Sequence, residues 1–300
     1  MQVPPSAPDA ESSASDRPPA PAPGALAIAL QVLADTGYGL WALQGGALAF
    51  GIFRHGRGES LVPLAIGLLF VLAGLAVASL RRPGLPAWHG WQPGQAAWPP
   101  RAALLALASF LPVLAVAGLT RGDNEFWATR LAGAVLMLCS VGCLLQDAPR
   151  WATPAAGASV TAAPVGRVLA ALYGGGLWLW LLAAADGPPV LGPAPPQHSP
   201  WLLVLLGMAL LLGLMEGMRW HALRLLEGTD TLPPRGGIIP ARFAAALLGY
   251  AVPCVALLLG DRWQASGALA LVAALSALLG RMLEQRLYAR AHRAEHSPAE

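Results

Sequence analysis

The run Trp201-Leu-Leu-Val-Leu-Leu-Gly-Met-Ala-Leu-Leu-Leu-Gly-Leu214 carries no charge and is apolar on every face. A surface helix of a soluble protein shows one apolar stripe, and a half-buried strand alternates; this run does neither. Seven more stretches read the same way. The predicted spans are 25–52, 61–80, 102–120, 128–146, 167–185, 201–219, 241–260 and 264–283. Each is close to or above the ~20 residues a helix needs to cross about 30 Å of hydrocarbon. Lipid offers the backbone no partner, so spans must be helices or a closed barrel, and the missing alternation argues against a barrel. The sequence therefore predicts an all-α integral membrane protein, a bundle of eight transmembrane helices.

The rest of the chain fits that frame. Hydrophobic residues make up 56% and charged residues 12%, against about 25% charged in soluble domains. A net charge of +3 is too small to suggest a nucleic-acid partner, and the lipid bilayer is the expected one. Residues 1–24 are rich in Pro, Ala and Ser and read as a disordered tail. They lack the basic n-region of a secretory signal. Residues 25–284 form the expected membrane domain, and 285–300 a charged C-terminal tail. All nineteen basic residues are Arg, and fourteen fall on the side that holds both termini of an eight-span chain. The positive-inside rule places both termini in the cytoplasm, as expected for a bacterial inner (plasma) membrane protein.

The loop after the second span is the most distinctive stretch. It reads Ser79-Leu80-Arg81-Arg82-Pro83, then Ala87-Trp88, then Trp98-Pro99-Pro100-Arg101. Thr36-Gly37-Tyr38-Gly39-Leu40 lies in the first span, and Pro149-Arg150-Trp151 with Thr153-Pro154 follows the fourth. Near the C-terminus come Glu284, Arg286, Leu287 and Tyr288. In order and placement these segments resemble the membrane-anchor subunits of the dimethyl sulfoxide reductase family. That family has eight helices, an H-L-G-x-P segment, an A-W pair and a W-L-S-R-E opening of the third helix. The resemblance implies a non-catalytic anchor without haem. It implies two partners, an iron–sulfur electron-transfer subunit and a molybdopterin catalytic subunit, and electron exchange with a quinone (menaquinone or ubiquinone). Arg82, Trp88, Trp98, Arg101, Arg150 and Trp151 are then the expected docking residues. The chain departs from the motif where it matters. The family's His falls at Ser79, its Gly at Arg81 and its Glu at Ala102, and that His and Glu are tied to quinol binding and proton handling.

A surviving quinone site needs other polar groups. Asp35 is the candidate, with Gln31 one turn before and Tyr38 one turn after on the same helix face. An ionisable group within a span costs at least about 2.5–3.5 kcal/mol and usually faces the bundle interior. Asp35 could equally cap a helix beginning near Thr36. Glu216 stands three residues before Arg219 and reads as half of a surface ion pair. Cys139 and Cys143 share a helix face, but no further ligand completes a metal set. The six His fall in loops or at span ends, which disfavours a bis-histidine haem. A small-solute permease is a second reading, weakened because spans 2, 3, 5 and 8 carry few polar side chains. A structural anchor that has lost its quinone site is a third.

Overall fold

In the computed structural model, the described residues are 24–52, 57–80, 85–94, 98–120, 126–146, 162–185, 200–226, 238–263 and 266–296. They are helical throughout, apart from short turns and one tight loop. The helices are α1 (Ala25–Phe50), α2 (Arg57–Ser79), α3 (Arg101–Ala108), α4 (Phe110–Leu119), α5 (Trp127–Leu145) and α6 (Ala162–Ala185). They continue with α7 (Pro200–Leu226), α8 (Ile238–Ala246), a π-helical turn (Leu247–Ala251), α9 (Val252–Trp263) and α10 (Ser266–His296). Taken as continuous spans they give eight helices long and apolar enough to cross a membrane. The chain is an all-α, multi-pass membrane protein. Leucines that would be buried in a soluble bundle face outward, among them Leu69, Leu111, Leu138 and Leu210. A shell of that size needs lipid against it.

Prolines account for the departures from straight spans. The third span was expected as one helix over 102–120. It breaks at Ser109, because Pro112 has no N–H to give the Ala108 carbonyl. Pro253 likewise cannot donate to Gly249, and the helix opens there into the π-helical turn. The last span does not stop at 283. α10 runs on to His296, with Leu287, Tyr288 and Ala289 buried. The expected tail over 285–300 is therefore helical as far as His296.

Among the described residues there are two large apolar cores and a small third one, where Ile28 and Val32 of α1 meet Ala289 of α10. One large core joins α1 to α5, with Ala171 of α6 added; the other joins α6, α7, α9 and α10. α1 sits at the centre and packs on α2, α5 and α6. Its crossing with α6 is backbone-close: a Cβ at Gly39 would overlap the Ala171 carbonyl, and one at Gly175 would overlap Leu40. Such small-residue contacts are how membrane helices approach each other without a hydrophobic drive between them.

Candidate functional site

Asp35 is no helix cap. It lies well inside α1, and its partner comes from α6. Arg167 forks onto the carboxylate, with Nε 3.0 Å from Oδ2 and Nη2 2.7 Å from Oδ1. Gln31 Nε2 donates to Oδ1 from one turn earlier, at 2.9 Å. Arg167 Nη1 donates to the Gln146 carbonyl at the end of α5, at 3.0 Å. One planar fork therefore ties α1, α5 and α6 together, a geometry that Lys could not supply.

Tyr38 follows on α1 and is fully buried. Its hydroxyl lies 3.1 Å from His89 Nε2. His89 belongs to the loop between α2 and α3, and a two-residue turn holds it there. Trp88 and Trp91 exchange both backbone hydrogen bonds, Trp88 N to Trp91 O at 2.9 Å and Trp91 N to Trp88 O at 2.8 Å. The two residues between them have positive φ, 46° at His89 and 74° at Gly90. Positive φ at both centres marks a type I′ turn, which glycine adopts freely and histidine does not. Left-handed backbone at a non-glycine residue costs of order 1 kcal/mol or more and persists where the surroundings enforce it.

Those surroundings are aromatic. Trp88 packs edge-on to the imidazole at 4.8 Å and lies against Gly74 of α2. Tyr38 meets Trp41 edge-on, and the Trp41 indole donates to the Leu64 carbonyl at 3.1 Å. Cys143 lies beside the same phenol. Burial pushes the His89 imidazole down to about 4, the Arg167 guanidinium acts in the same direction, and the Asp35 carboxylate opposes both. His89 is therefore neutral at pH 7. One ring nitrogen carries a proton and the other can accept one. The turn also holds two indole N–H groups, on Trp88 and Trp91, that are buried and make no hydrogen bond among the described residues. Buried donors of this kind call for an acceptor.

The three residues expected from sequence, Gln31, Asp35 and Tyr38, thus stand together. Arg167 and His89 complete the site and were missed. The expected docking set divides differently. Trp88 is 4% exposed and supports the His89 turn, so it cannot present itself to a partner. Trp98 is 88% exposed and Arg101 is also exposed. Arg82, Arg150 and Trp151 lie outside the described residues. The Glu216–Arg219 ion pair forms, at 3.9 Å, but not at the surface: the Glu216 carboxylate is buried, and its closer partner, at 2.9 Å, is Arg281 of α10. Among the described residues no group of His, Cys, Asp or Glu is arranged to hold a metal ion. Compared with protein-family models, with curated proteins and with solved structures, the chain matches none.

Proposed function

We propose that this chain is the membrane-anchor subunit of a molybdopterin oxidoreductase, similar to that of dimethyl sulfoxide reductase, and that it binds a quinone at Tyr38 and His89. The observation that carries the reading is the Tyr38–His89 pair, held by a strained turn beside a buried Asp35–Arg167 ion pair in an eight-helix bundle. The resemblance left the family's quinol-binding His without a counterpart, because that position is Ser79. His89 supplies an imidazole ten residues on, from the loop that follows α2.

The residues suit a quinone head group. A phenol, a neutral imidazole and two unpartnered indole N–H groups offer hydrogen bonds to carbonyl oxygens and a route for a proton. The quinol brings the two-electron chemistry, and the electrons pass to the iron–sulfur partner. Arg167 and Asp35 fix the local field and the position of α1. Exposed Trp98 and Arg101, at the opening of α3, are the docking residues of that partner.

The test is the intact complex purified in mild detergent. An iron–sulfur protein and a molybdopterin enzyme should co-purify, and Trp98→Ala with Arg101→Ala should release them. His89→Gln should lower quinol-linked turnover by about 100-fold or more, the scale of a lost general acid–base group. Turnover with an artificial dye should persist. Normal quinol turnover in His89→Gln rejects the site. The Arg167 clamp on Asp35 and Gln146 favours a second reading, a structural anchor without a quinone site. A wild-type complex lacking quinol turnover would establish that reading instead.

A further inference from the structure

A second buried polar cluster lies in the other half of the bundle. Arg281 Nη1 of α10 donates to Glu216 Oε1 of α7 at 2.9 Å and to Glu284 Oε2 at 2.7 Å. The two carboxylates are not equivalent. Glu216 also accepts the Tyr288 hydroxyl and has Arg219 Nη1 at 3.9 Å. Glu284 shares Arg281 and otherwise receives the Tyr250 hydroxyl at a long 3.4 Å. It also lines a cavity of about 20 Å³.

The cavity lies between α1, α6, α7, the π-helical turn and α10. Thr36, Tyr173, Trp178, Tyr250, Arg281 and Glu284 all contribute to its wall. Tyr173 is 3% exposed, and its hydroxyl makes no hydrogen bond among the described residues; the Trp178 indole N–H makes none either. A site for one water needs roughly 10–15 Å³ and two to four polar partners. This cavity has the volume, and its wall carries polar groups.

We propose that the cavity binds a water molecule that joins Tyr173 and Trp178 to Glu284 and makes Glu284 a buried proton-binding site, separate from the Tyr38–His89 site. The step is a simple equilibrium. The Glu284 carboxylate takes a proton delivered through the water and becomes the neutral acid, and Arg281 stays paired with Glu216. The groups facing Glu284 fit this assignment. Arg281 and Tyr288 lie on its own helix, Glu216 and Arg219 on α7, Tyr250 on the π-helical turn and Tyr173 on α6. One guanidinium is shared by two carboxylates; Glu216 has Arg219 as a second cation nearby, and Glu284, which shares Arg281, is the one on the cavity. The proposal holds whether or not a quinone binds near Tyr38.

Infrared difference spectroscopy on the full chain in lipid nanodiscs, with side-chain-labelled glutamate, reads this directly. Titration should show the carbonyl band of a protonated glutamate. Glu284→Gln should remove it. Tyr173→Phe, a conservative change in the cavity wall, should shift it, as should exchange into D2O. If no glutamate band appears at any pH, or if it persists in Glu284→Gln, the cluster is a fixed ion pair and the proposal fails. If Glu284→Gln does not fold, Tyr173→Phe decides: an unshifted band rejects the water link.

Discussion

Around Arg167 one guanidinium serves one carboxylate, whereas around Arg281 one guanidinium serves two. Both clusters place an Arg, a carboxylate and a Tyr against α6 or α10, but they differ in origin and stiffness. The Asp35 cluster borrows His89 from a loop with positive φ, so one member is held by a turn. The Glu216–Arg281–Glu284 cluster takes every member from a helix. A matched pair can serve as a fixed counter-charge for chemistry beside it. A shared cation cannot satisfy both acids equally, so its cluster is the one suited to holding a proton.

The largest effect should come from breaking that sharing. Arg281→Gln leaves two buried carboxylates without their common cation. It should destabilise the chain by about 3–5 kcal/mol, the usual cost of removing one partner from a buried pair. Thermal melting in detergent measures it. Adding Glu284→Gln should recover a large part of the loss, since one carboxylate then remains. No recovery would mean that Arg281 acts by packing and that the two clusters do not differ in charge balance.

The next effect is the pH response that His89 gives the first cluster. His89 titrates lower in the folded chain, near 4 against an ordinary 6.5. Below pH 6.5 the unfolded chain takes up the proton first, so stability falls as pH drops toward 4. The slope is about 1.4 kcal/mol per pH unit, and the full loss reaches about 3 kcal/mol. Melting profiles of the wild type and His89→Gln should diverge across that window and run parallel above it. Parallel curves throughout would show that the imidazole is solvated.

The smallest effect tests the link between helix and loop. Tyr38→Phe removes one hydrogen bond to His89 and should cost about 1 kcal/mol. Its consequence for quinol turnover should far exceed its consequence for melting. Equal modest losses in both would place Tyr38 in packing alone.

The fold was legible because it depends on local runs. Trp201 to Leu214 needs no distant partner to declare itself apolar on all faces. Asp35 was legible as an anomaly for the same reason, a charge inside a span. The completion of each cluster was not. Arg167 lies 132 residues from Asp35 and His89 lies 51 from Tyr38, so nothing local pairs them. Glu216 was legible only in part: Arg219, three residues on, does pair with it, but the closer partner Arg281 stands 65 residues away. Trp88 misled: a loop tryptophan suggested a docking surface, yet the loop folds back so that the ring fills space over Gly74. A His–Gly dipeptide between two tryptophans was the available signal, since that pair can form the tight turn.

The π-helical turn over Leu247–Ala251 has a consequence in terms of chain length. Such a turn is a helix with one residue too many. Deleting one residue there restores regular winding while α8 and α9 keep nearly their present relation, because the turn had taken up the extra residue. Deleting Tyr250 itself therefore removes a donor to Glu284 while the helices on either side keep their places. Such a single-codon deletion would loosen one polar cluster and leave the Asp35–Arg167 cluster standing.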